Sequence, residues 1–252
     1  MSSSTNPEPQ TLPGIPPERM PKHIASIMDG NGRWAQAQEK ERVEGHKRGA
    51  EVVRTITEEC SKLGIQQLTL YCLSSENWKR PQVELEFLML LLREYLIEER
   101  QTLMENNVVL KIIGRRDPIP EEIQIEMDRS IEMTRNNTGP TLCLAINYGA
   151  RAEIVDAIQQ ISTKVRDGEL DVQQIDETIV SEHLYTAEMV DPDMLIRTAG
   201  EMRISNYLLW QISYSEIWIT QKYWPDFSIQ DFHQSIKDFT QRKRRFGGLE
   251  NN

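Results

Sequence analysis

The chain has 252 residues with 29 basic and 39 acidic side chains, which gives a formal net charge of −10. That balance argues against nonspecific nucleic-acid binding, because such binding depends on basic side chains that neutralise phosphates. The longest uninterrupted apolar run, Phe87–Leu92, is far shorter than the roughly 20 residues that a membrane-spanning helix needs.

Residues 1–21 are predicted to form a disordered tail. They contain six of the twelve prolines among Ser, Thr, Asn and Gln, a composition that buries too little apolar surface to offset the chain entropy lost on folding. The tail begins without the basic and apolar regions of a secretory signal peptide. Cys60, Cys72 and Cys143 show no paired or metal-ligating spacing, so we expect a reducing, cytoplasmic location without disulfides or structural zinc.

After the tail, strands alternate with helices. Short apolar runs predict strands at His23–Met28, Leu68–Leu73, Val108–Ile113, Thr141–Asn147, Met194–Arg197 and Glu216–Thr220. Longer segments with helical spacing of apolar residues predict helices at Arg48–Leu63, Val83–Asn106, Glu121–Thr134, Ala150–Arg166 and Ile229–Arg245. This alternation predicts an α/β fold with a central, mainly parallel sheet flanked by helices. No internal repeat or second linker appears, so residues 22–249 are predicted to form a single domain.

The first predicted strand runs into Asp29–Trp34, with the sequence DGNGRW. Ligands of open parallel sheets bind beyond the carboxyl ends of the strands. Gly30 and Gly32 let backbone N–H groups approach an anion and Arg33 adds positive charge, so the segment predicts a phosphate site. Asp29 would repel a phosphate unless a divalent cation lay between them, which points to Mg²⁺. Asn-Gly is also a strong hairpin signal, so this segment alone leaves both interpretations open.

Polar side chains also follow two later strands. Ser74–Pro81, with the sequence SSENWKRP, offers hydroxyls, a carboxylate, an amide, an indole and a guanidinium, although a polar loop that caps the next helix would explain them too. In Met194–Asn206, a strand and a Gly turn bring Arg197, Arg203 and Ser205 together. Arginine suits bidentate phosphate recognition. Each arginine alone could be ordinary surface charge, but three strand ends with the same chemistry favour an anion site.

Two predicted helical segments carry further candidates. Arg42 and His46 are four residues apart, so they share one helix face and could contact the same anion, although a solvated face is the alternative. The run Phe87–Leu92 suits either the protein core or the wall of an apolar tunnel beside the sheet. The basic segment Arg242–Gly248 is too short and isolated to indicate nucleic-acid binding.

Five segments, in order and at family spacing, together resemble the cis-prenyltransferases. They are His23–Ala35, Ser74–Pro81, Ile196–Asn206, Trp224–Phe227 and Arg244–Gly248. The resemblance covers about residues 22–249 and is strongest for the undecaprenyl diphosphate synthases of bacteria. It implies one α/β domain that works as a homodimer.

The resemblance implies a Mg²⁺-dependent isoprenyl transferase. Enzymes of this family condense an allylic diphosphate, usually farnesyl diphosphate, with successive isopentenyl diphosphates and form Z double bonds. The implied product is an undecaprenyl-type diphosphate, the precursor of a lipid carrier for cell-wall glycan synthesis. Such a product would partition into the membrane, so the resemblance implies a cytoplasmic enzyme with peripheral membrane association during product release and no nucleic-acid partner.

The motif match also implies roles for individual residues. Asp29 would bind Mg²⁺ and be required for chemistry, with Glu216 as second metal carboxylate, and Asn77 stands where the family has its proton acceptor. The allylic diphosphate would be held by Gly30, Asn31, Gly32, Arg33, Arg42 and His46, with Trp34 close by. The reacting centre would be lined by Ser74, Ser75, Glu76, Asn77, Trp78 and Arg80. The isopentenyl diphosphate would be held by Arg197, Arg203, Ile204 and Ser205, and the partner subunit's site would be reached by Arg245 and Gly247.

Basicity limits which group can accept the proton that the reaction releases. A neutral amide is a weak base, so we expect Asn77 to orient a substrate oxygen or a water molecule. Asp29 or an oxygen of the released diphosphate suits the proton better.

Three positions depart from the family pattern. Met202 stands where His is common, Ala199 where Gly is common and Leu73 where an aromatic residue is common. A thioether is a poor ligand for Mg²⁺, so metal binding would rest on Asp29, Glu216 and substrate oxygens. Leu73 could alter the chain-length or substrate pocket.

Three other functions fit the sequence less well. Met202 supports a noncatalytic subunit of a heterodimeric enzyme, but such a subunit would be expected to lose Asp29 or its glycine segment. A trans-prenyltransferase would need DDxxD motifs, which Asp191-Pro192-Asp193 does not match. The acidic charge disfavours a nucleic-acid-binding module. An isoprenyl transferase is therefore the predicted function.

Overall fold

A computed structural model of the protein describes residues 12–244, and in it six strands form one sheet. The strands are β1 (His23–Ile27), β2 (Gln67–Ser74), β3 (Val109–Ile113), β4 (Thr141–Tyr148), β5 (Met194–Arg197) and β6 (Glu216–Ile219). Their spatial order is β3-β4-β2-β1-β5-β6, and every neighbouring pair is parallel. The predicted α/β fold is confirmed.

Helices connect the strands and cover the sheet. They are α1 (Asn31–Ala37), α2 (Arg42–Lys62), α3 (Gln82–Glu98), α4 (Arg100–Glu105), α5 (Glu121–Thr134), α6 (Ala150–Arg166), α7 (Glu177–His183) and α8 (Ile229–Gln241). Within residues 12–244, no helix is long and apolar enough to cross a membrane.

Three helices differ from their predicted bounds. Helix α8 ends at Gln241 rather than at Arg245, and the other two differences accompany tertiary contacts. Helix α2 begins six residues earlier than predicted and packs on α1, where a Cβ on Gly45 would lie 1.9 Å from the carbonyl oxygen of Asn31. The long helix predicted over 83–106 is two helices separated by Glu99. The Glu99 carboxylate is buried and accepts a hydrogen bond of 2.8 Å from Arg54 Nε on α2. Neither contact is visible in the helical spacing of the sequence.

The apolar core forms two layers, one on each face of the sheet. Ile24 and Leu68 lie in the layer that α2, α3, α5 and α8 complete, whereas Ala25, Cys143 and Leu195 lie in the layer on the other face. Successive strand residues point to opposite faces, so these buried strands carry apolar residues on both faces. All three cysteines are free thiols.

The end of the predicted tail belongs to the folded domain. Leu12 is 3% exposed and lies in the core, and Ile15 and Met20 pack against it. Pro17–Arg19 forms a turn of 3₁₀ helix between them. The prediction of disorder is therefore wrong for residues 12–21, because three spaced apolar side chains find partners there, while residues 1–11 lie outside the described part of the chain.

Candidate active site

A cavity of about 650 Å³ opens beyond the carboxyl ends of β1, β2 and β5. The predicted site residues that line it are Asp29, Gly30, Asn31, Gly32, Arg33, Arg42, His46, Ser74, Glu76, Asn77, Arg80, Arg197, Arg203 and Ser205. The carboxyl ends of parallel strands meet at one edge of the sheet. The sheet thus places segments that are far apart in sequence around one cavity.

Asp29 follows β1 and lies between two arginines. Its Oδ2 accepts a hydrogen bond of 2.8 Å from Arg197 Nη2, and its Oδ1 accepts one of 3.1 Å from Arg33 Nη2. Burial raises the pKa of the Asp29 carboxyl, but the hydrogen bonds and charges of Arg197 and Arg33 outweigh burial and bring the pKa below its ordinary value. Asp29 is therefore ionised at neutral pH.

The backbone of Asp29 is held by Thr198, which the sequence did not single out. The buried Thr198 hydroxyl accepts a hydrogen bond of 2.9 Å from the Asp29 N–H and donates one of 2.7 Å to the Asp29 carbonyl. Next to it Gly30 has a φ of +99°, and a Cβ there would lie 2.5 Å from Cδ1 of Tyr223. Glycine is thus required at this turn for conformation and for space.

The arginines near β5 are joined by Glu201, a second residue without a predicted role. Glu201 Oε1 accepts a hydrogen bond of 2.9 Å from Arg33 Nη1, and its other oxygen pairs with Arg203. Arg197 donates a hydrogen bond of 2.8 Å to Ser205 Oγ. Paired charges therefore hold this group in place before any ligand binds.

A second basic group lies where α2 approaches the start of α3. Glu84 accepts hydrogen bonds from Arg80 Nη1 at 2.9 Å and Arg42 Nη2 at 3.4 Å. The Arg42 guanidinium lies against Gly32, where an added Cβ would be 2.5 Å from its Cζ. Glu84 had no distinguishing signal in the sequence, because its role depends on the packing of α2 against α3.

His46 completes this group as a neutral side chain. Burial lowers the pKa of His46 from 6.5 to about 4, with a further contribution from Arg80. Its Nε2 is buried without a hydrogen-bond partner, since the nearest Glu84 oxygen is 3.8 Å away. One ring nitrogen of His46 is thus free to interact with a ligand.

The segment after β2 brings Asn77 to the cavity in a defined orientation. Its Oδ1 accepts a hydrogen bond of 3.0 Å from the Ser74 N–H, so its amide nitrogen is left to interact with a ligand. Trp78 donates from Nε1 to Oδ1 of Asn147 at 2.7 Å and packs against the core. Glu76 accepts a hydrogen bond of 2.8 Å from Nδ2 of Asn206.

Four predicted site residues within the described part of the chain do not line the cavity. These are Trp34, Ser75, Trp78 and Ile204. Trp34 donates a hydrogen bond of 2.7 Å to Asp226, and Ile204 packs against the core layer around Ala25. Arg245 and Gly247 lie outside the described residues.

Glu216 is not brought to Asp29. In the sheet register Arg197 pairs with Ile219 at the carboxyl ends, whereas Glu216 pairs with Met194 at the amino ends. Three residues of strand separate these levels by about 10 Å. Glu216 instead forms an ion pair of 2.8 Å with Arg242. Within the described residues, Asp29 and Glu216 are thus not side by side. The Glu216 role was implied by the motif match, whereas Glu216 is the first residue of β6 and so lies at the end away from the cavity.

A smaller apolar cavity of about 120 Å³ adjoins the first. Its apolar lining includes Ala50, Val53, Leu73, Leu91, Leu92, Tyr95, Leu144 and Ile146, from α2, α3 and the sheet. Both cavities are lined by Met28, Asn31, His46, Cys72 and Leu88. The polar and apolar cavities therefore adjoin at these five residues.

Known proteins are similar to this chain in sequence. The family model described as "Putative undecaprenyl diphosphate synthase" matches residues 27–247. An isoprenyl transferase of Rhodopirellula baltica is 53% identical over 230 residues, which are 91% of this chain and 94% of that protein. An isoprenyl transferase of Geobacter sulfurreducens is 44% identical over 234 residues, which are 93% and 95% of the two chains.

Solved structures agree with these matches. Lavandulyl diphosphate synthase from Lavandula x intermedia, in complex with dimethylallyl diphosphate, superimposes with a TM-score of 0.90 at 34% identity, over 92% of this chain and 100% of that one. A "probable undecaprenyl diphosphate synthase" from Campylobacter jejuni gives a TM-score of 0.75 at 31% identity, over 90% and 99% of the chains. The chain therefore belongs to the undecaprenyl diphosphate synthase family of isoprenyl transferases.

Proposed function

We propose that the protein condenses isopentenyl diphosphate units with an allylic diphosphate, with farnesyl diphosphate as the starter, and forms a Z-polyprenyl diphosphate of the undecaprenyl type. One observation carries this proposal: Asp29 and five arginines line a polar cavity that shares five lining residues with an apolar one. The reaction needs two anion sites and a place for a growing hydrocarbon.

The two diphosphates can be assigned from the cavities that the site residues line. The allylic substrate carries the hydrocarbon chain, so its diphosphate must lie where the polar and apolar cavities meet. Asn31 and His46 line both cavities, which supports the allylic diphosphate at Gly30–Arg33, Arg42 and His46. Isopentenyl diphosphate then binds at Arg197, Arg203 and Ser205, the group in the polar cavity that includes no residue shared with the apolar one.

Asp29 is suited to hold the Mg²⁺ that this reaction requires. It is ionised, and each of its oxygens keeps a lone pair beyond the one that an arginine uses. Mg²⁺ is commonly held by one or two carboxylates together with substrate phosphate oxygens, and when bound it neutralises charge on the leaving diphosphate. Among residues 12–244 no group of three or more His, Cys, Asp or Glu side chains forms a metal site, and the Met202 side chain is exposed.

In the condensation, the bond between the allylic carbon and its diphosphate oxygen breaks, and the electron pair leaves with the diphosphate. Arg33 and Arg42 stabilise the developing charge. The allylic carbon bonds to the terminal alkene carbon of isopentenyl diphosphate, and one proton is lost from the adjacent methylene. An oxygen of the released diphosphate is the better acceptor for that proton, because the lowered pKa of Asp29 makes it a weak base. Asn77 orients substrate through its amide nitrogen.

Family membership supports further parts of the proposal. We infer a cytoplasmic homodimer in which Arg245 and Gly247 reach the partner subunit's site. The product partitions into the membrane, where the enzyme associates peripherally during release, and serves as precursor of a lipid carrier for cell-wall glycan synthesis. The formal charge of −10 supports the absence of a nucleic-acid partner.

The purified protein can be incubated with labelled isopentenyl diphosphate and farnesyl diphosphate, with and without Mg²⁺, and with dimethylallyl diphosphate as a second starter. We expect labelled, chromatographically resolved polyprenyl chains only when Mg²⁺ is present. If chains form from dimethylallyl diphosphate but not from farnesyl diphosphate, dimethylallyl diphosphate is the starter instead. No incorporation with either starter would contradict the proposal and favour a noncatalytic subunit.

A further inference from the structure

Asn206 connects three segments of the site. Its Nδ2 donates a hydrogen bond of 2.8 Å to Glu76, in the segment after β2. Its Oδ1 accepts a hydrogen bond of 2.9 Å from the Arg151 N–H, and its carbonyl accepts one of 2.8 Å from the Ala150 N–H. Asn206 itself follows β5. One side chain therefore links the segments after β2 and β5 to the start of α6.

The space around this link is restricted by Gly149. A Cβ on Gly149 would lie 2.5 Å from Ser75 Oγ and 2.7 Å from Asn206 Nδ2. The backbone of Gly149 is extended, with φ −157° and ψ 124°, which any residue adopts. Glycine is thus needed here only because Ser75 and Asn206 both pack over its Cα.

The backbone conformation at Ser205 and Asn206 also contributes to these contacts. Ser205 and Asn206 have φ values of +49° and +59°, in the left-handed region that asparagine tolerates better than most residues. Ser205 receives the hydrogen bond from Arg197. The turn that directs Asn206 toward Glu76 therefore also positions a partner of Arg197.

We propose that Asn206 is a positioning residue that holds the segment Ser74–Arg80, and with it Asn77, against the arginines after β5. This inference rests on the proposed function, because it assigns Asn206 a part in aligning the two substrates. Its amide acts through Glu76 and the start of α6. A displacement of about 1 Å at the reacting groups can lower an enzymatic rate about 100-fold.

Three variants disturb the link in different ways. Asn206→Gly removes the side chain while accommodating the left-handed backbone. Asn206→Asp keeps the acceptor for the Arg151 N–H but places a second carboxylate against that of Glu76. Burial raises the pKa of Glu76, but hydrogen bonds, above all that from Asn206, outweigh burial and bring this pKa below its ordinary value. Gly149→Ala adds a methyl group between Ser75 and Asn206 without backbone strain.

Asn107→Gly is the matched control. Asn107 has a φ of +54°, and its side chain also makes two hydrogen bonds, to Thr138 Oγ1 at 3.1 Å and from the Thr138 N–H at 2.9 Å. It lies in the turn between α4 and β3 and does not line the cavity. Its loss reproduces the local structural change without touching the proposed link.

The variants are compared by hydrogen–deuterium exchange over residues 74–80, by thermal unfolding and by steady-state kinetics. We expect faster exchange in that segment and a kcat about 10- to 100-fold lower in Asn206→Gly, with Asn206→Asp lowest. The KM for both diphosphates should change less than kcat, since the arginines remain. Asn107→Gly should match the wild type in exchange over residues 74–80 and in kcat.

Unchanged exchange over 74–80 in Asn206→Gly, or a kcat equal to that of Asn107→Gly, would overturn the proposal. If Asn206→Gly and Asn107→Gly showed equal falls in unfolding temperature and similar falls in kcat, the role of Asn206 would be merely structural. Exchange does not depend on catalysis. If the wild type makes no polyprenyl chains, the proposed function fails while the exchange result still reports on the link.

Discussion

The polar and apolar cavities lie side by side but are built on different principles. In the polar cavity, Asp29, Glu84 and Glu201 each bind arginines, so side-chain positions are set by paired charges and hydrogen bonds. In the apolar cavity, residues of α2, α3 and the sheet enclose space by packing alone. Directional contacts fix where a diphosphate can bind, whereas an apolar wall limits only the volume that a hydrocarbon can occupy.

The pairing in the polar cavity also means that an anionic substrate competes with resident carboxylates. Arg42 and Arg80 both contact Glu84, and Arg33 contacts Asp29 and Glu201. A diphosphate would replace part of these contacts. The apolar cavity presents no such competition. Changes in the two regions should therefore alter different measurable quantities.

The largest effect is expected from Asp29→Asn, which should lower the rate of chain formation about 1000-fold. The neutral amide is a poor Mg²⁺ ligand, yet its oxygen can still accept a hydrogen bond from Arg197, so the fold should persist. Incorporation of labelled isopentenyl diphosphate and the unfolding temperature measure the two effects. Asp128→Asn is the control, since Asp128 pairs with Arg116 outside the cavity. If the Asp29→Asn variant kept wild-type activity, the proposal that Asp29 holds Mg²⁺ would be wrong.

Arg197→Ala and Arg42→Ala separate the two diphosphate sites. A hydrogen bond to a charged group contributes about 1.5–3 kcal/mol, so each variant should raise one KM about 10- to 100-fold. Arg197→Ala should act on isopentenyl diphosphate and Arg42→Ala on the allylic substrate. Steady-state kinetics with each substrate varied in turn is the measurement. The opposite pattern would reverse the assignment of the sites.

His46 lies at the boundary of the two cavities and should make stability depend on pH. The unfolded chain takes up a proton near the ordinary histidine pKa of 6.5, whereas burial lowers the pKa of His46 in the folded protein to about 4. The unfolded state therefore binds more protons in this range, and stability is lost as the pH falls from 6.5 towards 4. Denaturant unfolding at pH 7 and 4.5 measures the loss.

Between pH 7 and pH 4.5, the free energy of unfolding of the His46→Gln variant should fall by about 2 kcal/mol less than that of the wild type. His23 is buried with a pKa lowered to about 4 as well, so part of the pH dependence should remain in the variant. Equal losses in both proteins would show that His46 titrates normally.

The smallest effect on rate is expected in the apolar cavity. Ala50→Leu reduces its volume and should shift the product distribution to shorter chains, whereas Leu92→Ala enlarges it and should shift the distribution to longer ones. Both changes leave the arginines in place, so the KM values should remain close to those of the wild type. Chromatography of the products tests this. A changed KM with an unchanged chain length would mean that the two cavities are not independent.

The parts of the site that the sequence revealed are those whose chemistry is contiguous in the chain. The segments at Asp29, Ser74 and Arg197 each follow a strand, and parallel strands place such segments together. The sequence did not reveal the roles of Thr198, Glu84, Glu201 and Asn206. Each of these residues has a partner that is remote in sequence, and these partners are Asp29, Arg42, Arg33 and Glu76 respectively. The metal-binding role of Glu216 was implied by a motif match, and the strand register places this residue at the amino end of β6.

The sequence by itself determined the alternation of strands and helices, the parallel sheet and the three polar segments, since these depend on local periodicity and on neighbouring residues. Only the tertiary structure decided which carboxylates bind which arginines, that Leu12 is buried, that Glu99 separates α3 from α4 and that the polar cavity adjoins an apolar one. Those features arise from contacts between distant segments, whose distances are set by strand order and helix packing rather than by any local pattern.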